Sequence, residues 1–206
     1  GVALADVIAG KDAAIAILAA LAERGSGALS PDRRRIDISL ADSARAALVN
    51  VAQNVLVSRG DAARWGNAHP NLVPYQLFDA ADRPFVIAVG SDEQWHTCAI
   101  ALDLKDLAED RDLATNAGRV ANRARVVQSI SERVRQRPAE YWIEKLDESG
   151  IACGLVRTVA EAIADMDASP ETGLPSSVSG SVRMPPPRLD EHGEELKSLG
   201  WRAFQR

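Results

Sequence analysis

In the ten residues GVALADVIAG, from Gly1 to Gly10, a single carboxylate, Asp6, stands among nine small or apolar neighbours. A charged side chain that loses hydration beside apolar groups costs free energy unless a partner or a helix N-terminus compensates. Asp6 is therefore expected to cap a helix or to be a working group. The two roles are compatible, because a carboxylate fixed at a helix start and shielded from water is oriented for attack as a nucleophile. A second cluster is Gly66-Asn67-Ala68-His69-Pro70-Asn71. It joins conformationally permissive residues to side-chain hydrogen-bonding groups, which suits a loop lining a ligand pocket and equally a solvated turn.

Other chemistries lack the residues they need. The three histidines, His69, His96 and His192, form no HxxxH or HExxH set, so no metal site is expected. Cys98 and Cys153 lie far apart without a CxxC, as idle thiols in a reducing cytoplasm would. Gly25-Ser26-Gly27 is too short for a phosphate loop, and no GxSxG points to a hydrolase. Trp65, Trp95, Trp142 and Trp201 are expected to serve packing. With 24 Lys and Arg against 29 Asp and Glu, the net charge is -5, and the one basic run, Arg33-Arg34-Arg35, is too short to track a nucleic-acid backbone. The most apolar segment, Ile15 to Ala22, is bracketed by charges, so neither a membrane span nor a signal peptide is expected.

The elements that must position these groups follow from periodicity. A chain of 206 residues, 46% hydrophobic and 26% charged, can bury a core in one or two domains. Val7 to Arg24 reads as a buried helix, N-capped near Asp6 and ended by Gly25-Ser26-Gly27. Arg35 to Leu40 alternates like a half-buried strand, and Ala41 to Ser58 has helical spacing, so the order is that of an α/β fold. Loop residues rich in Gly, Asn and Pro follow up to Tyr75. Tyr75–Phe78 and Phe85–Val89 predict a hairpin, and Ser91 with Gln94 predicts a capping box opening a helix toward Leu102. Amphipathic helices are predicted over Gly118–Arg137 and Pro138–Glu148, a short strand or a tight crossing over Ile151–Val156, and a helix over Val159–Ala164. Residues 169–187 read as an extended connector with one strand-like stretch, Ser177–Met184, before a last helix over Glu191–Leu199.

Four ordered segments resemble the class III CoA-transferase family, also called CaiB/BaiF. They are Val2-Ala3-Leu4-Ala5-Asp6 with its Ala/Leu-rich helix, and Ile36 to Asp42. The third is Gly66 to Phe78, continuing through Ile87-Ala88-Val89-Gly90, Arg119-Val120-Ala121-Asn122-Arg123 and Gly150 to Gly154; the last is Pro185 to His192. By this resemblance Asp6 matches the family's catalytic aspartate, the nucleophile that carries CoA as an aspartyl thioester between an acyl-CoA and a carboxylic acid. Gly66 to Asn71 fall where some transferases of the family close a glycine-rich loop over the active site, and Asn67, His69 and Tyr75 are candidate substrate-binding residues. Here the family's glycine run is absent, and Asp190 stands where Gly usually precedes Glu-His.

The resemblance implies an α/β fold formed by part of a Rossmann-like large domain and a small α+β domain. Residues 1–58 would be the tail of the large domain, 59–74 a linker and active-site loop, 75–165 the small domain, and 166–206 a connector and return. Implied with it are an interlocked homodimer, coenzyme A as substrate, no metal, and no nucleic-acid or membrane partner. The start at Gly1, already in apolar sequence, leads to the expectation of a piece of a longer chain that exposes apolar surface and needs the remainder for activity. Two other functions fit the same residues. One is an α-methylacyl-CoA racemase using Asp6 as acid and base beside an upstream histidine. The other is a truncated, noncatalytic scaffold.

Overall fold

The computed structural model describes residues 1–27, 35–164, 188–200 and 202. The strand-like stretch 177–184, the connector 169–187 that holds it, Arg33, Arg34 and Trp201 lie outside the described residues.

Alanine and leucine are strong helix formers, and the first segment winds into α1 (Leu4–Gly25). Its N-cap is Ala3, so Asp6 lies inside the first turn and is not the cap it was expected to be. Leu4 and Ala5 extend the helix past the acid, which still sits among unpaired backbone N–H groups at the positive end of the helix dipole. The far end is as expected, with Ser26 closing the helix and Gly27 turning at φ 75°. Contrary to expectation, α1 is not buried. Ala9 is its one buried residue, while Ile15 and Leu18 are 65% and 66% exposed. Apolar content leads to burial only where a neighbour covers the face, and α1 packs chiefly on α2 (Leu40–Ala46). The joint is polar at its centre: the buried Ser43 hydroxyl donates to Asp12 at 2.6 Å.

The expected strand over Arg35–Leu40 is absent. Residues 35–39 are irregular, with Ile36 and Ile38 exposed. A strand needs a hydrogen-bonded neighbour, and none of the described strands pairs with this segment. Ser39 instead caps α2, its hydroxyl accepting from the Asp42 N–H. The helix expected over 41–58 is broken into α2 and α3 (Val49–Ser58) at Ala47 and Leu48, with Val49 in the left-handed region at φ 41°.

Beyond the loop that follows lies the core. Strands β1 (Tyr75–Asp79) and β2 (Pro84–Ala88) form the expected antiparallel hairpin, and β3 (Ala152–Leu155) pairs with the other edge of β2. The order β1-β2-β3 leaves the hairpin's second strand in the middle. Its Phe85 and Ile87 are fully buried, two residues apart as alternation requires.

Helices cover this sheet with matched apolar stripes. α4 (Asp92–Ala101) buries Trp95, Cys98 and Ala99. Ser91 caps it as expected, accepting from the Gln94 N–H, while the Gln94 side chain reaches one residue further back than in the usual box and accepts from the Gly90 N–H. α5 (Lys105–Ala108) and a 3-10 turn over Arg111–Leu113 lead into α6 (Asn116–Ala121). The single helix expected over 118–137 is therefore two: Asn122 interrupts it, and α7 (Arg123–Val134) follows. Val126, Ile130 and Val134 of α7, spaced by four, are buried in one core with Trp142 and Leu146 of α8 (Ala139–Glu148). Each such large side chain contributes on the order of 1.5–3 kcal/mol by leaving water. α9 (Val159–Ala164) and α10 (Gly193–Leu199) complete the elements among the described residues. No helix among them is long and apolar enough to cross a membrane.

Candidate active site

The two sets of candidate residues occupy different places. Asp6 is exposed in the first turn of α1, and no hydrogen bond or ion pair joins its side chain to another described residue. Asn67, His69 and Tyr75 come together at the loop between α3 and β1.

That loop is held mainly by its own backbone. The His69 N–H donates to the Tyr75 carbonyl at 2.9 Å and closes the loop on itself. The two rings then stack, centroids 5.3 Å apart and 23° from parallel. His69 Nδ1 accepts from the Asn71 N–H at 3.0 Å, and its Nε2 faces the Asn50 amide of α3 at 3.4 Å. Both ring nitrogens are thus engaged within the chain. Asn67 accepts from the Leu77 N–H at 3.0 Å, tying the loop tip to β1. The Asn67 amide nitrogen and the Tyr75 hydroxyl have no partner among the described residues.

Two supports grip the loop from outside. On one side the Asn54 and Asn71 side-chain amides exchange a pair of hydrogen bonds at 3.0 and 2.9 Å. A groove of about 370 Å³ opens beside them, lined by Val51, Val55, Asp61, Trp65, Pro70 and others. On the other side stand Asn116, Arg119 and Arg123. Asn116 donates to the Asn71 carbonyl at 2.7 Å and accepts from the Val73 N–H at 3.3 Å. Arg119, 1% exposed, donates to the carbonyls of Val73 and Leu113 and to Asp92 at 2.8, 3.0 and 2.9 Å. A guanidinium so buried must have its donors met, and here the loop and the turn before α6 meet them. Gly118 makes room for this turn, since a β-carbon there would collide with the Asp112 carbonyl.

Arg123 donates through one nitrogen to both the His69 and Pro70 carbonyls, at 3.0 and 2.7 Å. Its guanidinium lies over the Trp65 ring, 4.8 Å from the centroid. Burial pushes its pKa down from the ordinary value. Trp65 is thus a half-open ring stacked on a cation, unlike Trp95 and Trp142, which are core residues. Sequence reasoning gave no role to Asn50, Asn54, Asn116, Arg119 or Arg123. Their signal is spacing: 50 and 54 differ by four, and 116, 119 and 123 by three and four, which are helical-face repeats carrying polar groups.

Away from this region, Cys98 is a fully buried thiol, its pKa pushed up to about 12 chiefly by burial. No group of three or more His, Cys, Asp or Glu among the described residues is placed to hold a metal ion.

Known proteins supply the context. The chain is 33% identical over 168 residues to a succinyl-CoA:glutarate CoA-transferase of Homo sapiens, covering 80% of the chain and 37% of the relative. It is 29% identical over 219 residues to an acetyl-CoA:oxalate CoA-transferase of Acetobacter aceti, covering 96% of the chain and 54% of that protein. The crystal structure of a CaiB/BaiF family protein from Brucella suis superposes with a TM-score of 0.67 at 34% identity, over 96% of this chain and 55% of the other. The chain therefore spans about half or less of the length of these relatives. The CoA-transferase family III pattern itself matches residues 1–192, from the first residue through the Asp6 helix, the gripped loop and the core. The chain belongs to CoA-transferase family III.

Proposed function

We infer that the intact protein moves CoA from an acyl-CoA thioester to a free carboxylic acid, with Asp6 as the covalent carrier. The observation that carries this reading is the family match over residues 1–192, which takes in Asp6 and its helix. Both relatives described above are named for transfer to a dicarboxylic acid, glutarate in one and oxalate in the other. A dicarboxylic acid is accordingly the proposed acceptor class.

The chemistry follows from what a carboxylate does. The Asp6 carboxylate attacks the thioester carbonyl, and CoA leaves as thiolate, giving a mixed anhydride between Asp6 and the acyl group. The thiolate attacks the Asp6 carbonyl, releasing the first acid and leaving an aspartyl-CoA thioester. The incoming acid attacks that thioester to form a second mixed anhydride, and the thiolate takes its acyl group, restoring Asp6. The unpaired N–H groups of the first turn of α1 are suited to stabilise the oxyanion formed at each step. Exposure of Asp6 on this chain leaves it open to groups from outside the chain. CoA-binding contacts from the rest of a longer protein, and a second copy in a homodimer, complete the proposed site, and the 206-residue chain alone is inactive.

The test is mass spectrometry of the intact protein incubated with succinyl-CoA, trapped with hydroxylamine or borohydride and mapped by peptide. A CoA-sized adduct on the untrapped protein, replaced after trapping by a hydroxamate or a reduced alcohol at Asp6 as CoA leaves, is the expected result; Asp6→Asn shows none of these and loses at least about a thousandfold in kcat. A folded, CoA-binding protein that forms no adduct at Asp6 overturns the covalent reading.

A further inference from the structure

Asn116 and Arg119 of α6 and Arg123, the first residue of α7, all donate to main-chain oxygens of one loop. They divide the loop between them. Asn116 and Arg119 hold its second half, at Asn71 and Val73. Arg123 takes the first half, at His69 and Pro70. The three are not equivalent in setting. Arg119 is sealed in the core with its donors met, whereas Arg123 is half-buried, and its Nη1 is enclosed with no hydrogen-bond partner. Its other contact is the Trp65 ring, which borders the groove beside the loop.

We propose that Arg123 is a positioning residue for CoA transfer, an inference that rests on the function proposed above. By reaching two successive carbonyls from one nitrogen, it fixes the loop segment that presents the Asn67 amide and the Tyr75 hydroxyl. A planar guanidinium stacked on Trp65 does this where a lysine ammonium, a point donor on a flexible stem, does not. Residues held this way set reacting groups to within a fraction of an ångström, so their loss acts on kcat more than on KM.

The experiment compares wild-type intact protein with Arg123→Met, Arg123→Lys and Arg125→Met. Arg125, two residues on, pairs with Asp110 and serves as a charge control. Hydrogen exchange is followed over residues 65–77, where the amides of Ala68, His69 and Leu77 report loop closure, and kcat and KM are measured for transfer from succinyl-CoA to glutarate. In Arg123→Met, exchange of those amides is expected to rise about tenfold while the β2 and α4 amides stay unchanged. Its kcat falls about tenfold with KM within about threefold, and added methylguanidine restores part of the rate. Arg125→Met behaves as wild type. Unchanged loop protection in Arg123→Met overturns the proposal, as does a rate loss that methylguanidine does not relieve. Should Arg123→Met lose protection throughout the core, Arg123→Lys decides: wild-type loop exchange and kcat in that variant overturn the proposal, and local loosening with a lowered kcat supports it. A wild-type protein with no CoA transfer sinks the functional reading alone, and loop exchange still decides whether Arg123 holds the loop.

Discussion

Asp6 and Arg119 show what a single residue can and cannot reveal in isolation. Asp6 stands out in the sequence because its neighbours are apolar, yet in the chain it is exposed and lies in the first turn of a helix that Leu4 and Ala5 begin. Its type and place in a family motif were legible, and its local geometry was not, because helix starts depend on the residues upstream as much as on the capping candidate. Arg119 is the reverse. Nothing about an Arg in a helical stretch announces burial, since Arg is among the residues least often buried. Its 1% exposure follows from four oxygens that the loop, the 3-10 turn and Asp92 place around it. Arg119→Met keeps the volume and removes every donor, leaving the Val73 and Leu113 carbonyls without partners. Urea unfolding is expected to show a loss of about 3 kcal/mol, and a loss below about 1 kcal/mol would mean that water replaces the guanidinium.

Elements here are joined by carboxylates as much as by apolar stripes. Asp82, in the hairpin turn, accepts from the Ala139 N–H at 2.8 Å and so ties the sheet to the start of α8; that bond is the main cause holding its pKa below the ordinary value. Asp103 accepts from Arg133 and Lys145, joining the end of α4 to α7 and α8, and hydrogen bonds from these two hold its pKa low as well. A carboxyl whose folded pKa is depressed adds stability above its unfolded value, and that stability disappears as pH falls through the folded one. The urea midpoint is accordingly expected to be level from pH 7 to about 5 and to drop below about pH 4. Asp82→Ala lowers the midpoint at pH 6 and makes the acid drop shallower; an equally steep drop in the variant would show that Asp82 does not contribute. The hairpin, β3 and the amphipathic stripes of α7 and α8 were readable, because their periodicity and their burial coincide. The missing strand over 35–40 was not, because alternation records which face a strand would bury and says nothing of whether a partner lies alongside.

Across the molecule, burial is unequal. The cluster from Val73 to Ile151 contains nearly every fully buried side chain, while α1 to α3 leave Ile15, Leu18, Leu48, Leu56 and Val57 largely open. Contiguous apolar exposure of this kind favours association. Prepared by itself, the 206-residue chain is expected to bind a hydrophobic dye and to scatter light at concentrations where an Ile15→Lys, Leu18→Lys double variant stays monomeric. Equal scattering by the two would place the sticky surface elsewhere. The loop's location was legible from its Gly, Asn and Pro content, whereas its supports at 50, 54, 116, 119 and 123 were not, because they lie far from it in sequence and only the fold brings them near. That arrangement has a consequence for how such a protein changes over time. Asn116, Arg119 and Arg123 grip carbonyl oxygens, which every amino acid supplies. Side chains of the gripped segment that take no part in holding it, Ala68 and Leu72 among them, are free to be exchanged while its path persists. Randomising those positions would leave a folded scaffold displaying new chemistry, so the surface that the loop presents is open to drift, or to directed evolution, without rebuilding the frame that holds it.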